Sequence, residues 1–212
     1  QNEIDFRYSD ALTAADNAMT FQTVVKTVAN RNGLWADFSA KPLDDWPGNG
    51  FHINVSVTPN ETSENLCYMI AGLLDKVAEM TVFLNPTENS YKRFGQKKAP
   101  RYISWSSENR SQLVRIPGAV GAYRRAELRS PDTTANPYLA FSLMIYASLY
   151  GLQNKMDLPQ AANINLFTAD SETVAKFKKL PENLSMACKI AAESEFIKAH
   201  IPNEILDIYC NK

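Results

Sequence analysis

Ten basic residues, Lys92, Arg93, Lys97, Lys98, Arg101, Arg110, Arg115, Arg124, Arg125 and Arg129, fall between positions 92 and 129 of a chain whose charges otherwise nearly cancel, 22 basic against 23 acidic. The planar fork of arginine grips carboxylates and phosphates through paired N–H bonds. Several arginines on one surface therefore suit a ligand that bears both groups. The rival use of a basic patch, nucleic acid, ordinarily comes with exposed aromatics and glycine-rich loops. Here core-like residues, Ile103, Trp105, Val114 and Ile116, separate the arginines. That interleaving favours a small-anion site over nucleic acid.

Two alternating segments could carry such a site. In Phe51-His52-Ile53-Asn54-Val55-Ser56-Val57 the even positions are polar, so His52, Asn54 and Ser56 share one face of a strand. Arg125, Glu127 and Arg129 do the same in Arg125-Ala126-Glu127-Leu128-Arg129. Alternation of this kind suits a solvated sheet face. The residue types, however, are those that divalent ions and phosphates require on neighbouring strands.

Helices must support these strands. Phe21, Val24, Val25 and Val28 fall at i, i+3, i+4 and i+7 and predict an amphipathic helix from about Thr13 to Asn32, closed by Gly33. Leu66, Met69, Ile70, Leu73, Leu74 and Val77 repeat the pattern behind Thr62 and Ser63 as caps. Pro137 opens a third helix whose residues Leu139, Phe141, Leu143, Ile145, Tyr146 and Leu149 predict burial on most sides. The first eight residues, Gln1 to Tyr8, alternate like a half-buried strand.

A length of 212 residues with 45% hydrophobic and 21% charged residues describes one ordinary globular unit, without repeats or linkers. No apolar run long enough for a membrane span and no leader pattern occurs, so a cytoplasmic protein with no membrane partner is expected. Cys67, Cys188 and Cys210 form neither a disulfide framework nor a zinc motif, and His52 and His200 are the only histidines. The tripeptides Asn60-Glu61-Thr62 and Asn183-Leu184-Ser185 fit the glycosylation pattern, which has no meaning in a cytosolic protein.

Four motifs add a resemblance. Asn89-Ser90-Tyr91-Lys92-Arg93, Asn109-Arg110-Ser111 leading to Arg115-Ile116-Pro117, Glu127-Leu128-Arg129-Ser130-Pro131-Asp132 and Asn136-Pro137-Tyr138-Leu139 resemble, in order and spacing, the C-terminal catalytic domain of bacterial glutamine synthetase. Asp10 to Asn17, Lys41-Pro42-Leu43, Gly50-Phe51-His52 and Gln1-Asn2-Glu3 extend the likeness over essentially the whole chain.

The resemblance implies an α+β fold, with a curved antiparallel sheet carrying the site on its concave face and helices on the other. It implies a ligase that joins glutamate, through a γ-glutamyl phosphate, to ammonia or an amine, using ATP and Mg²⁺ or Mn²⁺. Glu3 resembles a ligand of one ion, and His52 and Glu127 ligands of another. Arg93 and Arg129 resemble the residues that hold the glutamate carboxylate and steady the acyl phosphate. Arg110 and Arg115 resemble the phosphate clamp. Ser56, Asn54 and Arg125 stand at nucleotide-side positions. The family's N-terminal β-grasp domain, which completes a neighbour's site in a homo-oligomeric ring, has no counterpart here. Residues 1–212 are therefore expected to be a catalytic domain truncated at both ends and inactive in isolation.

The departures cluster at one end of the site. The family usually carries a glutamate before Ala-Pro in the loop after Arg93, where it takes a proton from ammonium; this chain has Lys98 before Ala99-Pro100. Asn54 stands where a second histidine is usual, and Pro47 where an asparagine helps bind glutamate. Phosphate and metal machinery is expected to persist, with the ammonia end altered. The alternative is a non-catalytic subunit or sensor that binds nucleotide or glutamate.

Overall fold

The computed structural model describes residues 2–58, 63–96, 98–118 and 124–211. Gln1, Thr62, the Asn60 tripeptide and Lys97, singled out above, lie outside them. Helix α1 runs Ala11–Arg31. It starts two residues before the periodicity predicts, because the Asp10 carboxylate accepts from Thr13 N at 3.0 Å and caps it. Helix α2 spans Ser63–Leu84 and α4 spans Pro137–Gln153. In α4 the Asn136 side chain accepts from Tyr138 N and Leu139 N, and Pro137 needs no donor there. Short α3 (Glu88–Tyr91) and α5 (Ser171–Val174), then α6 (Leu184–Glu193), α7 (Glu195–His200) and α8 (Asn203–Cys210), complete the helices.

The core lies along α2, whose Leu66, Met69, Ile70, Leu73, Val77 and Met80 are all essentially buried. It packs most heavily against α4 and then against α6, α7 and α8. Gly72 and Gly151 sit where α2 and α4 cross. Their backbones are so close that a β-carbon on Gly72 would stand 2.7 Å from Gly151 N. One expectation needs correction here. Helix α4 is not buried on most sides, since Tyr138, Ile145, Tyr146, Leu149 and Tyr150 are each about two-fifths exposed, between 39% and 43%. Its buried residues include Ala140, Leu143, Met144, Ala147 and Gly151, and the Ala147 carbonyl and Gly151 lie against Gly72 of α2.

Four short strands, β1 (Ile53–Val55), β2 (Trp105–Ser106), β3 (Val114–Arg115) and β4 (Ala126–Leu128), form one sheet in the order β1-β4-β3-β2. The sheet is mixed rather than antiparallel throughout. β1 and β3 run antiparallel to β4, but β2 and β3 are parallel, joined by Val114 N to Ser104 O and Ile116 N to Ser106 O, both 3.0 Å. The alternating N-terminal segment is not a strand either: residues 2–10 carry no regular structure. Alternation makes a strand only where a neighbouring edge accepts its hydrogen bonds.

Register sorts the two faces. Ile53 pairs with Leu128, and Leu128 with Val114, and all three join the helical core. One position along, Asn54 pairs with Glu127, and Glu127 with Arg115, on the opposite face. The helices thus cover one side and leave the polar row on the other.

Candidate active site

Glu127 is the centre of the polar face. Its Oε2 accepts from Arg115 Nε at 2.7 Å and lies 3.5 Å from Arg129 Nε, while Oε1 lies 3.5 Å from His52 Nδ1. Burial works to raise the Glu127 pKa, but hydrogen bonding and charge from His52 and Arg115 outweigh it and hold the carboxyl at about 2. The group is therefore a fixed anion at neutral pH. Arg129 is almost wholly buried, and its guanidinium donates to two backbone carbonyls, those of Arg110 and of Lys98, the latter at 3.3 Å. Burial lowers its pKa, with Glu127 opposing and Arg115 and Arg110 adding to the shift. A guanidinium starts so high that it stays charged.

Arg93 enters from the turn after α3. Only 3% exposed, it donates from Nη1 to Ser130 O at 2.9 Å and stands 3.9 Å from the Asp132 carboxylate. Its Nε is buried without a hydrogen-bond partner among the described residues. The missing side chain of Gly50 makes the room. A β-carbon there would fall 2.7 Å from His52 Nε2 and 3.3 Å from Arg93 Nη2, so Gly50 lets both groups approach one point.

Reading along the sequence finds these charges but not their support. Asp132, fully buried, accepts from Asn85 Nδ2 at 2.8 Å and from Thr134 N at 2.9 Å, and Asn85 Nδ2 also reaches Ser130 O at 2.9 Å. This network holds the carbonyl to which Arg93 binds. Asp132 closes a recognised motif, and that was its only signal; nothing marked Asn85 or Thr134. Arg110 is positioned by its neighbours: Asn109 Nδ2 and Gln112 Nε2 each donate to Ile164 O at 2.8 Å, and Ser111 Oγ accepts from Leu166 N at 3.0 Å.

The sequence-derived candidates divide accordingly. His52, Glu127, Arg115 and Arg129 converge, with Arg93 beside His52 across Gly50. Asn54 and Arg125 pair at 3.0 Å on the same face. The Arg110 side chain is exposed, and only its carbonyl touches the cluster. Ser56 is half-buried just past the end of β1. Glu3 is exposed and is felt as a charge at Arg129.

Among the described residues, no group of three or more His, Cys, Asp or Glu gathers. A cation here would thus complete its shell from other sources. His52 and Glu127 nonetheless fit one hard divalent ion, because ligand bonds of about 2.0 to 2.6 Å place neighbouring donors about 3 to 4 Å apart. The observed separation is 3.5 Å.

The loop after Arg93 is tight. Gly95 has φ +77°, Gly95 N bonds Ala99 O and Ala99 N bonds Gln96 O, both at 3.0 Å. Lys98 is exposed and adopts φ +81°, a left-handed conformation costly for a residue with a β-carbon. Relieving it should help: Lys98→Gly is expected to stabilise the fold by up to about 1 kcal/mol, whereas Lys98→Val should destabilise it. Thermal melts of the two variants beside the parent check the sign.

Two buried arginines and an imidazole–carboxylate pair thus gather on the polar side of this α+β unit. The particular family is shown by comparison. The family model described as glutamine synthetase, catalytic domain, matches residues 1–212. The chain belongs to that family. It is 42% identical over 224 residues to glutamine synthetase of Methanosarcina mazei and 39% identical over 224 residues to that of Clostridium saccharobutylicum, covering 99% of this chain in each case. It spans about half the length of these curated relatives, 50% and 51%. Among solved structures it resembles the GmaS/ADP complex in conformation 1, with TM-score 0.84 and 29% identity over 96% of this chain and 51% of that one. It also resembles GmaS without ligand, with TM-score 0.83 and 30% identity over 96% and 50% of the two chains.

Proposed function

We propose that the protein carrying this chain is an ATP-dependent ligase that activates the γ-carboxylate of glutamate as a γ-glutamyl phosphate and transfers the glutamyl group to an amine or ammonia. The observation that carries this reading is Glu127, held anionic between His52 on one side and Arg115 and Arg129 on the other. Family membership and the ADP in the similar GmaS complex support its nucleotide half.

In this proposal the γ-carboxylate oxygen attacks the terminal phosphorus of ATP and ADP leaves. The amine nitrogen then attacks the acyl carbon, loses a proton and expels phosphate. Arg93 and Arg129 are fixed cations whose binding to backbone carbonyls prepays their orientation, so that little reorganisation accompanies charge movement. Arg115 and Arg110 are assigned the phosphate clamp, offsetting charge on the phosphoryl group in flight. His52 and Glu127 would hold Mg²⁺ or Mn²⁺, which supplies charge neutralisation at the phosphates. Asn54, Ser56 and Arg125 take the nucleotide side, and Glu3 a ligand position for another ion.

The rest of the protein belongs to the same proposal. A β-grasp domain and a neighbouring subunit in a homo-oligomeric ring complete each site, so residues 1–212 alone are inactive. A cytoplasmic setting is part of the same proposal. No helix among the described residues is long and apolar enough to cross a membrane.

Full-length protein assayed with glutamate, ATP and Mg²⁺, and with ammonia or a short alkylamine as acceptor, tests this reading. Turnover with either acceptor removes the non-catalytic alternative. No turnover with any primary amine would overturn the ligase reading.

Lys98 bears on the choice of acceptor. Its carbonyl is bound by Arg129, which ties the loop to the anion site, and a cation there opposes capture of ammonium. Lys98→Glu in full-length protein is expected to lower the Michaelis constant for ammonia and weaken ATP or glutamate binding, by about tenfold at low salt. Unchanged affinities would remove Lys98 from the acceptor site.

A further inference from the structure

We propose that Cys188 and Cys210 are a redox pair that closes to a disulfide, stapling α8 to α6. The two helices pack together, and the side chains cross between them. Cys188 Sγ lies 3.8 Å from Tyr209 O, and Cys210 Sγ lies 3.9 Å from Cys188 O. Both are free and only partly buried, so a small oxidant can reach them. Closure needs the sulfurs to approach to about 2.05 Å. Cys210 is the last residue of α8, where a side-chain rotation or slight unwinding disturbs no following turn.

Exchange proceeds in two steps, and the balance is the same whichever thiol attacks first. Burial, together with the neighbouring Cys188, pushes the Cys210 thiol up to about 12, so its attack needs the loss of a tightly held proton. Where Cys188 attacks first, with a small disulfide as oxidant, it loses its proton and its sulfur attacks one oxidant sulfur, releasing one thiolate. Cys210 then loses its proton and attacks the Cys188 sulfur of the mixed disulfide, releasing the second thiolate. Two protein thiols are oxidised and the oxidant disulfide is reduced to two thiols, which take up the two protons.

The staple would close the segment that contains α7. Tyr209, next to Cys210, has its ring 4.9 Å from that of Phe83 in the fully buried core. Oxidation would therefore pin the C-terminal helices to the centre of the fold. A bridge closing a loop of this length is expected to raise the melting temperature by about 5 °C or more, reversed by reductant.

The test is incubation with excess oxidised glutathione, followed by denaturation, alkylation and intact-mass measurement. The proposal expects loss of two hydrogens and a single alkylated cysteine, mapped by peptide analysis to Cys67. It expects Cys67→Ser to close the same bridge and Cys210→Ser to stop at a glutathione adduct on Cys188. Three alkylated cysteines, adducts without an internal bridge, a bridge that uses Cys67, or disulfide-linked dimers would each overturn it. Peptide mapping of the unsubstituted protein decides the matter even where a variant fails to fold.

Discussion

Gly72→Ala should cripple the fold, although alanine is the better helix former. Propensity alone would award alanine about 1 kcal/mol in the middle of α2. The added methyl, however, would meet the Ala147 carbonyl and stand 2.8 Å from the Gly151 α-carbon, both backbone atoms of α4 that cannot rotate away. Helices α2 and α4 form the principal packing in the molecule, so they would have to separate along their length. The expected loss is about 3 kcal/mol or more, at the upper end of overpacking costs. In a protein of this size that lowers the melting point by about 6 to 12 °C. A rise in melting temperature would show that the helices cross less closely than described.

Asp132→Ala should be nearly as damaging, for an electrostatic reason. The carboxylate is fully buried and accepts from Asn85 Nδ2 and Thr134 N, with Arg93 3.9 Å away. Its removal leaves a buried guanidinium with less compensating charge and strands donors that have no water to turn to. Breaking a buried ion pair from one side costs about 3 to 5 kcal/mol. The loss should appear in urea unfolding as a lower midpoint with an unchanged slope. Asp132→Asn, which keeps an acceptor but not the charge, should fall between parent and alanine variant. Equal midpoints for all three proteins would contradict the account of the Arg93 support.

Helices were legible where their signal is local. The apolar spacing around Phe21 and Leu66 and the proline at 137 locate α1, α2 and α4, because helical burial repeats along the chain itself. What covers an apolar face is not written in that spacing. This is why α4 reads as enclosed while Ile145 and Leu149 stand partly exposed. Strands of two or three residues fall below the length at which alternation can be counted. The parallel pairing of β2 with β3 depends on partners that sequence alone does not choose.

For the site, alternation placed His52 and Asn54 on one face of their segment and Glu127 and Arg129 on one face of theirs, whereas the register that sets Asn54 opposite Glu127 is not written in it. That Arg115 would pair with Glu127, and Arg93 with a carbonyl braced by Asp132, depends on chain crossings no local pattern records. Nor does sequence show that Gly50 matters because a β-carbon would collide with His52 and Arg93.

The central proposal is that glutamate is activated by phosphoryl transfer to its γ-carboxylate, and isotope transfer tests it most directly. Full-length protein supplied with ATP, Mg²⁺, an acceptor amine and glutamate labelled with ¹⁸O in the γ-carboxylate should release phosphate carrying one labelled oxygen per amide formed. That oxygen bridged carbon and phosphorus in the intermediate. Amide formation with unlabelled phosphate would contradict the account, since the carboxylate would then have been activated by some other route.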